Sequence, residues 1–288
     1  MTGETEKLLA AIEPRAGPLI ITVFGDIIAP RGGAVWLSSL IDLMRPFGLS
    51  ERLVRTGVYR LTREGWLENS ARGRKSVYAI TADGMTSFAE ADARIYSASG
   101  RQWSGEWQIV HALSAMPTDG LQSLRKNLVW QGFGQLSRTS FIRPAGKDVT
   151  IPPHLSATTA VFTGKLTTGP QLHTIASMAW DLNAFAKSYE QLASHFSGFE
   201  DAAPASCEQA FVIRTILLHQ YRSILLKDPQ LPQSVLPPGW PGETARALTA
   251  RLYRQLSKAT ERHIETHLRC PGPATPRPTP AYYERFTR

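Results

Sequence analysis

"SERLVRTGVYRLTREGW", residues 50–66, has two distinct faces when wound as a helix at roughly 100° per residue. Arg52, Thr56, Tyr59 and Arg63 fall within one narrow sector, flanked by Arg55 and Arg60. Val54, Val58 and Leu61 lie opposite. Ser50 is a good N-cap, because its hydroxyl can accept from a free N–H of the first turn. Gly65 marks the end. One side of this helix suits a protein core, and the other concentrates positive charge, as a solvated basic face or a face that meets a polyanion would.

The flanking segments give the helix its setting. Upstream, "PLIITVFGDIIA" from Pro18 is apolar enough for a buried helix, and "APRGG" breaks it with Pro and two Gly. "AVWLSSLIDLMRPFG" then places Trp36, Leu40, Leu43 and Met44 on one helical face and stops at Pro46-Phe47-Gly48. Downstream, "WLENSARGRKSVYAIT" reads as two β-prone runs around the turn "ARGRK". Three helices followed by a basic hairpin is the order of a winged helix-turn-helix, in which the third helix enters the major groove. Arginine suits that task, since its planar fork contacts phosphates or the O6/N7 edge of guanine. Arg52, Arg55, Thr56, Tyr59 and Arg63 are the expected base contacts. Ser50, Arg60 and the hairpin-tip residues Arg72, Arg74 and Lys75 are expected to hold phosphates.

Composition agrees. The 288 residues carry 32 Lys and Arg against 24 Asp and Glu, a net charge of +8. Between Arg31 and Tyr78 stand nine basic residues and four acids, a net +5 within one folded segment, which favours a polyanionic partner. With 42% hydrophobic residues the chain can bury real cores and does not read as disordered. Its two cysteines, Cys207 and Cys270, form no framework, and a reducing cytoplasm is the simplest setting. No apolar run approaches the ~20 residues of a membrane helix, and "MTGETEKLLAAIEPR" lacks the order of a signal peptide.

Two long blocks also resemble a known family. "TVFGDIIAPRGGAVWLSSLI" with "RLVRTGVYRLTREGWL" is similar to the N-terminal domain of the PaaX family, and "RTILLHQYRSILLKDPQLP" with "LPPGWPG" is similar to its C-terminal domain. The resemblance runs roughly from Pro18 to Leu268. It implies a cytoplasmic, homodimeric repressor of phenylacetate or related acyl-coenzyme A catabolic genes, released from double-stranded operator DNA by phenylacetyl-coenzyme A. It implies no cofactor beyond that effector. Regulation by an unrelated effector is the nearest alternative.

The remaining chain reads as two further parts. Residues 81–99 suggest a linker helix. "EWQIVHAL" alternates as a strand, "TDGLQSLRKNLVWQG" is a capped helix closing at Gly132, and "FGQLSRTSFIRP" and "TAVFTGKL" are extended runs. That is a small α+β unit. The resemblance implies a ferredoxin-like, Cas2-like domain there. From Leu172 the apolar residues Ile175, Met178, Leu182, Phe185, Tyr189, Leu192 and Phe196 recur at helical spacing. "SCEQ" has capping-box spacing and opens "AFVIRTILLHQYRSILLKD", apolar on most sides. The expected division is 1–98, 99–170 and 171–288, an α+β chain ending in a Pro-rich tail whose Tyr282, Tyr283 and Phe286 suit an extended strap or a flexible end.

Arg214, His219 and Arg222 stand out in the apolar helix. A buried arginine needs a carboxylate or a ligand phosphate. An internal salt bridge is the simpler reading; contact with a coenzyme A effector is the functional one. Other chemistry finds little footing. His263 and His267 are spaced i, i+4 with Cys270 beyond, but no fourth ligand is near, and a helix surface is the better reading. "APRGG" lacks the Lys-Ser/Thr of a phosphate-binding loop, and no nucleophile elbow or paired carboxylates appear. No metal site and no catalytic residues are expected. A nucleic-acid-processing middle domain and a winged helix that binds only protein are the competing readings. The first lacks a carboxylate pair, and the second leaves the basic face unexplained.

Overall fold

A computed structural model describes residues 3–97, 103–113, 116–146, 148–167, 171–200 and 203–287. The chain opens with helices α1 (Gly3–Ile12) and α2 (Ala16–Val23), and α2 runs on through a π-helical turn, Phe24–Ile28. Strand β1 (Ala34–Trp36), helices α3 (Leu37–Met44) and α4 (Glu51–Arg63), strands β2 (Leu67–Arg72) and β3 (Lys75–Ile80), and helix α5 (Ala82–Ile95) follow. Next come β4 (Glu106–Ala112), α6 (Thr118–Trp130), β5 (Gly134–Gln135), β6 (Ser140–Pro144) and β7 (Thr159–Lys165). Helices α7 (Leu172–Ala179), α8 (Leu182–Phe196), α9 (Cys207–Leu225), α10 (Pro241–His267) and α11 (Pro280–Tyr283) complete it. The architecture is α+β with two small antiparallel sheets. No single helix among the described residues is long and apolar enough to cross a membrane.

The residues cluster into two compact units. One gathers segments 1–98, 191–223 and 243–288; the other gathers 99–190 and 224–242. This cuts the chain differently from the expected 1–98, 99–170 and 171–288, because much of the C-terminal helical part packs with the N-terminal elements. The expected helix 81–99 is α5, Ala82–Ile95, and residues 98 and 99 lie outside the described set, as does Arg288 of the tail.

In the first unit β3 lies between β1 and β2, with Trp36 opposite Val77 and Arg72 opposite Lys75. Strand β1 corrects the sequence reading of 34–44 as one helix. "AVW" pairs with β3, a long-range bond that local periodicity cannot reveal, and the helix starts only at Leu37. Thr81 caps α5 by accepting from the Gly84 N–H at 3.0 Å.

In the second unit the strand order is β5-β6-β4-β7. "FGQLSRTSFIRP" is therefore not one extended run but two strands joined by a turn, with Gly134 opposite Ile142. One core gathers Val110, Phe141, Leu124 and Leu128; a second gathers Trp107, Ile142, Ile175, Leu182 and Val235. The helical pattern from Leu172 likewise breaks into α7 and α8, where the Asp181 side chain accepts from the Ala184 N–H at 3.1 Å.

Candidate nucleic-acid interface

Helix α4 presents the two faces its sequence implies. Val54, Gly57, Val58 and Leu61 are buried, whereas Arg52, Arg55, Thr56, Tyr59, Arg60 and Arg63 are exposed, Tyr59 by 63%. Ser50 caps it, accepting from the Leu53 N–H at 3.4 Å. Gly65, at φ +79°, takes the left-handed turn that ends it, a conformation costly for other residues. Gly57 is required for a different reason. A Cβ there would stand 2.7 Å from the Ile20 side chain, so the missing side chain lets α2 and α4 approach closely.

The arginines on this face are not equivalent. Arg55 pairs with Glu51 and Arg60 with Glu64, each at 2.7 Å. Arg52 and Arg63 have no acidic partner among the described residues and stand eleven residues apart, roughly 16 Å along the axis. Exposed helical pairs are worth about 0.3–0.5 kcal/mol, so DNA can displace Glu51 and Glu64 from these arginines at little cost. The Thr56 hydroxyl donates to the Arg52 carbonyl at 2.9 Å, one turn back on the same face.

The hairpin tip is a two-residue turn, Gly73-Arg74, between Arg72 and Lys75. All four residues are exposed, and the Lys75 ammonium lies 5.8 Å from the Trp36 ring centre. The helix face and hairpin tip thus belong to one unit, with β1, α3 and β3 fixing both. The indole of Trp36 donates to the Cys270 carbonyl at 3.1 Å. The Ser39 hydroxyl donates to the His267 carbonyl at 2.9 Å and accepts from the Arg269 N–H at 2.8 Å. The end of α10 thereby holds the start of α3.

The same unit holds a charged core that the sequence reading found only in part. Asp26, in the π-helical turn, accepts from Tyr96 at 2.8 Å, Tyr253 at 2.7 Å, Arg285 at 3.0 Å and Arg214 at 2.9 Å. Arg214 also donates to Tyr282 at 2.9 Å and to Ser257 at 3.3 Å. Arg285 reaches Asp92, and Arg31 reaches Glu261, each at 2.5 Å; the Tyr282 hydroxyl donates to Glu261. Three arginines face three carboxylates, so the cluster is neutral as a whole. Burial works against the Asp26 charge, but Arg214, Arg285, Tyr253 and Tyr96 outweigh it and hold the carboxyl below the usual carboxylate range. Burial pushes the Tyr96 and Tyr253 hydroxyls well above the ordinary phenol value, so they remain neutral donors. One signal was available: Asp26 is the lone charge within the apolar run "PLIITVFGDIIA".

The three candidate effector residues separate. Arg214 is fully buried and ion-paired with Asp26. His219 and Arg222 lie half-buried elsewhere on α9, where the His219 ring meets the Thr22 hydroxyl at 2.9 Å and Arg222 donates to the same oxygen at 3.2 Å. The tail is neither loose nor peripheral to its unit, since Tyr282, Arg285 and Phe286 are all buried there. His263 corrects the helix-surface reading: it is buried, stacked on Phe211 and on His267 at 4.6 and 4.1 Å between ring centres. Among the described residues no group of three or more His, Cys, Asp or Glu is placed to hold a metal ion.

Comparison with known proteins places this arrangement. A family model described as PaaX-like protein matches residues 15–84, which hold α4, the hairpin and Asp26. A second, PaaX-like protein C-terminal domain, matches residues 180–266, which hold Arg214, Tyr253 and Glu261. Transcriptional repressor PaaX of Escherichia coli (strain K12) is 32% identical over 281 residues, covering 93% of this chain and 89% of that protein. Uncharacterized protein Rv0674 from Mycobacterium tuberculosis, 24% identical, shares the fold at a TM-score of 0.54 over 78% of this chain and 89% of its own. The chain belongs to the PaaX family, a family of non-enzymatic regulators that includes the Escherichia coli repressor.

Proposed function

We propose that the protein is a cytoplasmic, homodimeric DNA-binding repressor of phenylacetate or related acyl-coenzyme A catabolic genes, released from its operator by phenylacetyl-coenzyme A. The observation that carries the DNA-binding part is α4: an apolar face buried in its unit and an exposed face of arginines, Tyr59 and Thr56 beside a basic hairpin tip. In this reading residues 1–98 act as a winged helix-turn-helix with its linker helix. Arg52, Arg55, Thr56, Tyr59 and Arg63 read bases, and Ser50, Arg60, Arg72, Arg74 and Lys75 hold phosphates. The kinship with the Escherichia coli repressor supports repression as the direction of control.

The second unit serves dimerisation in this account. Its strand order, β7-β4-β6-β5, is that of a ferredoxin-like sheet, which supports the expected middle domain. Two copies then present two α4 helices to half-sites about one helical turn apart. The effector shifts the protein toward a geometry in which the two no longer match.

The test is a gel-shift with the DNA upstream of the protein's own operon, repeated with a panel of acyl-coenzyme A thioesters. The expected result is a shift that phenylacetyl-coenzyme A alone reverses. A shift that no thioester reverses overturns the effector assignment, and the absence of any shift at low salt overturns DNA binding.

A further inference from the structure

Arg31, Arg214 and Arg285, the three deeply buried arginines of the first unit, each meet a carboxylate. Arg222 does not. Its Nη1 donates to the Thr22 hydroxyl at 3.2 Å and to the Pro18 carbonyl at 3.3 Å, and its Nε and Nη2 have no partner among the described residues. Burial lowers the guanidinium's affinity for its proton, and no carboxylate restores it. His219 stands one turn earlier on the same face of α9. Burial first, and then Arg222, bring its pKa down to about 4. The Thr22 hydroxyl donates to the Pro18 carbonyl at 3.1 Å and accepts from Arg222, and the His219 Nδ1 lies 2.9 Å from the same oxygen. Two cation-forming side chains thus converge on one hydroxyl, half-open to solvent, with no carboxylate among the described residues bonded to either. A folded protein tolerates such an arrangement most readily where an anion completes it.

We propose that Arg222, His219 and Thr22 form the seat of a phosphate monoester and, resting on the coenzyme A reading above, that its occupant is the 3′-phosphate of the thioester effector. The free edge of the Arg222 fork offers two parallel N–H donors, which matches two oxygens of a phosphate. His219 supplies a third donor when it takes up a proton against the dianion. Arg214 has no part in the seat, because Asp26 and Tyr282 occupy it.

The seat also has a route to DNA. Thr22 lies on α2, two residues from Ile20, whose side chain fills the space that Gly57 of α4 leaves open. A phosphate on the free edge of Arg222 pulls on the guanidinium whose Nη1 holds Thr22, and so bears on the helix against which α4 rests. An effector that favours one position of α2 over another shifts the helix by that difference in affinity.

The experiment is calorimetry of wild-type protein with coenzyme A, 3′-dephospho-coenzyme A and phenylacetyl-coenzyme A, repeated with Arg222→Gln and Arg222→Lys. In parallel, inorganic phosphate is titrated while the His219 ring resonances are followed by NMR. The expected result is at least ten-fold weaker binding of the dephospho compound. Arg222→Gln loses that discrimination and Arg222→Lys keeps part of it. Equal binding of the two compounds by wild type overturns the seat while leaving the effector reading intact, and needs no variant to fold. If no coenzyme A compound binds but inorganic phosphate moves the His219 resonances in wild type and not in Arg222→Gln, the phosphate seat stands and the coenzyme A reading fails. Silence in both measurements overturns both.

Discussion

Replacing Asp26 by Asn is the sharpest perturbation of the first unit's charged core. The side chain keeps its size and one acceptor oxygen, but its charge is lost. Arg214 and Arg285 then face each other's charge in a dry interior, since Arg214 is fully buried and Glu261, its next acid, lies 3.9 Å off. Breaking one side of a buried ion pair costs about 3–5 kcal/mol, several-fold more than loss of a neutral hydrogen bond, and the two tyrosine donors add to the upper end. The effect carries a pH signature. Asp26 has a folded pKa below its unfolded value, so its contribution is complete above the unfolded value near 4 and fades as pH falls through the folded one. Urea unfolding by circular dichroism, with hydrogen exchange reporting on α9 and α10, should show the variant weakened by about 3–5 kcal/mol at pH 7 and the deficit narrowing below pH 4. A loss under about 1 kcal/mol, or a deficit that does not change with acid, would refute the assignment of Asp26 as the charge that holds these helices together.

The other expectations concern the DNA surface. Gly57→Ala forces a Cβ to within 2.7 Å of the Ile20 side chain, at a cost of about 1–3 kcal/mol in thermal unfolding, and Ile20→Val should recover most of it; no rescue means that the two helices are not in contact there. Arg72→Ala should weaken binding to all DNA sequences alike and reduce the salt slope by about 1, as read by titration at several salt concentrations. Glu51→Gln frees Arg55 from its 2.7 Å pair and removes a negative charge from the DNA face, so it should tighten binding to operator and competitor DNA, to the operator at least as much; unchanged binding to both contradicts a part for Arg55 at this surface.

What the sequence made legible and what it hid divide along a physical line. The faces of α4 repeat every 3.6 residues, so Val54, Val58 and Leu61 could be sorted from Arg52, Tyr59 and Arg63 without coordinates. The hairpin announced itself through "ARGRK" between β-prone runs, and Ser206 and Gln209 act as a cap, the serine accepting from the Gln209 N–H at 3.0 Å. Strand β1 was hidden because three residues hold no period of their own and pair with a strand some forty residues on. The Asp26 cluster was hidden for the same reason on a larger scale. Arg214 plainly needed a partner, but Asp26 and Arg285 lie 259 positions apart and nothing local links them. The tail's role followed suit, since its composition reads as loose and only long-range packing buries Tyr282 and Phe286.

The central claim is that the exposed face of α4 reads operator bases. Fluorescence anisotropy of the wild type and of an Arg52→Ala/Arg63→Ala variant, each against the operator and a scrambled duplex at fixed salt, tests it most directly. The account predicts that the wild-type preference for the operator collapses in the variant by about 2–6 kcal/mol, while binding to the scrambled duplex weakens far less. A variant that keeps its full preference would contradict the claim, because the two arginines without acidic partners would then have no part in choosing the sequence.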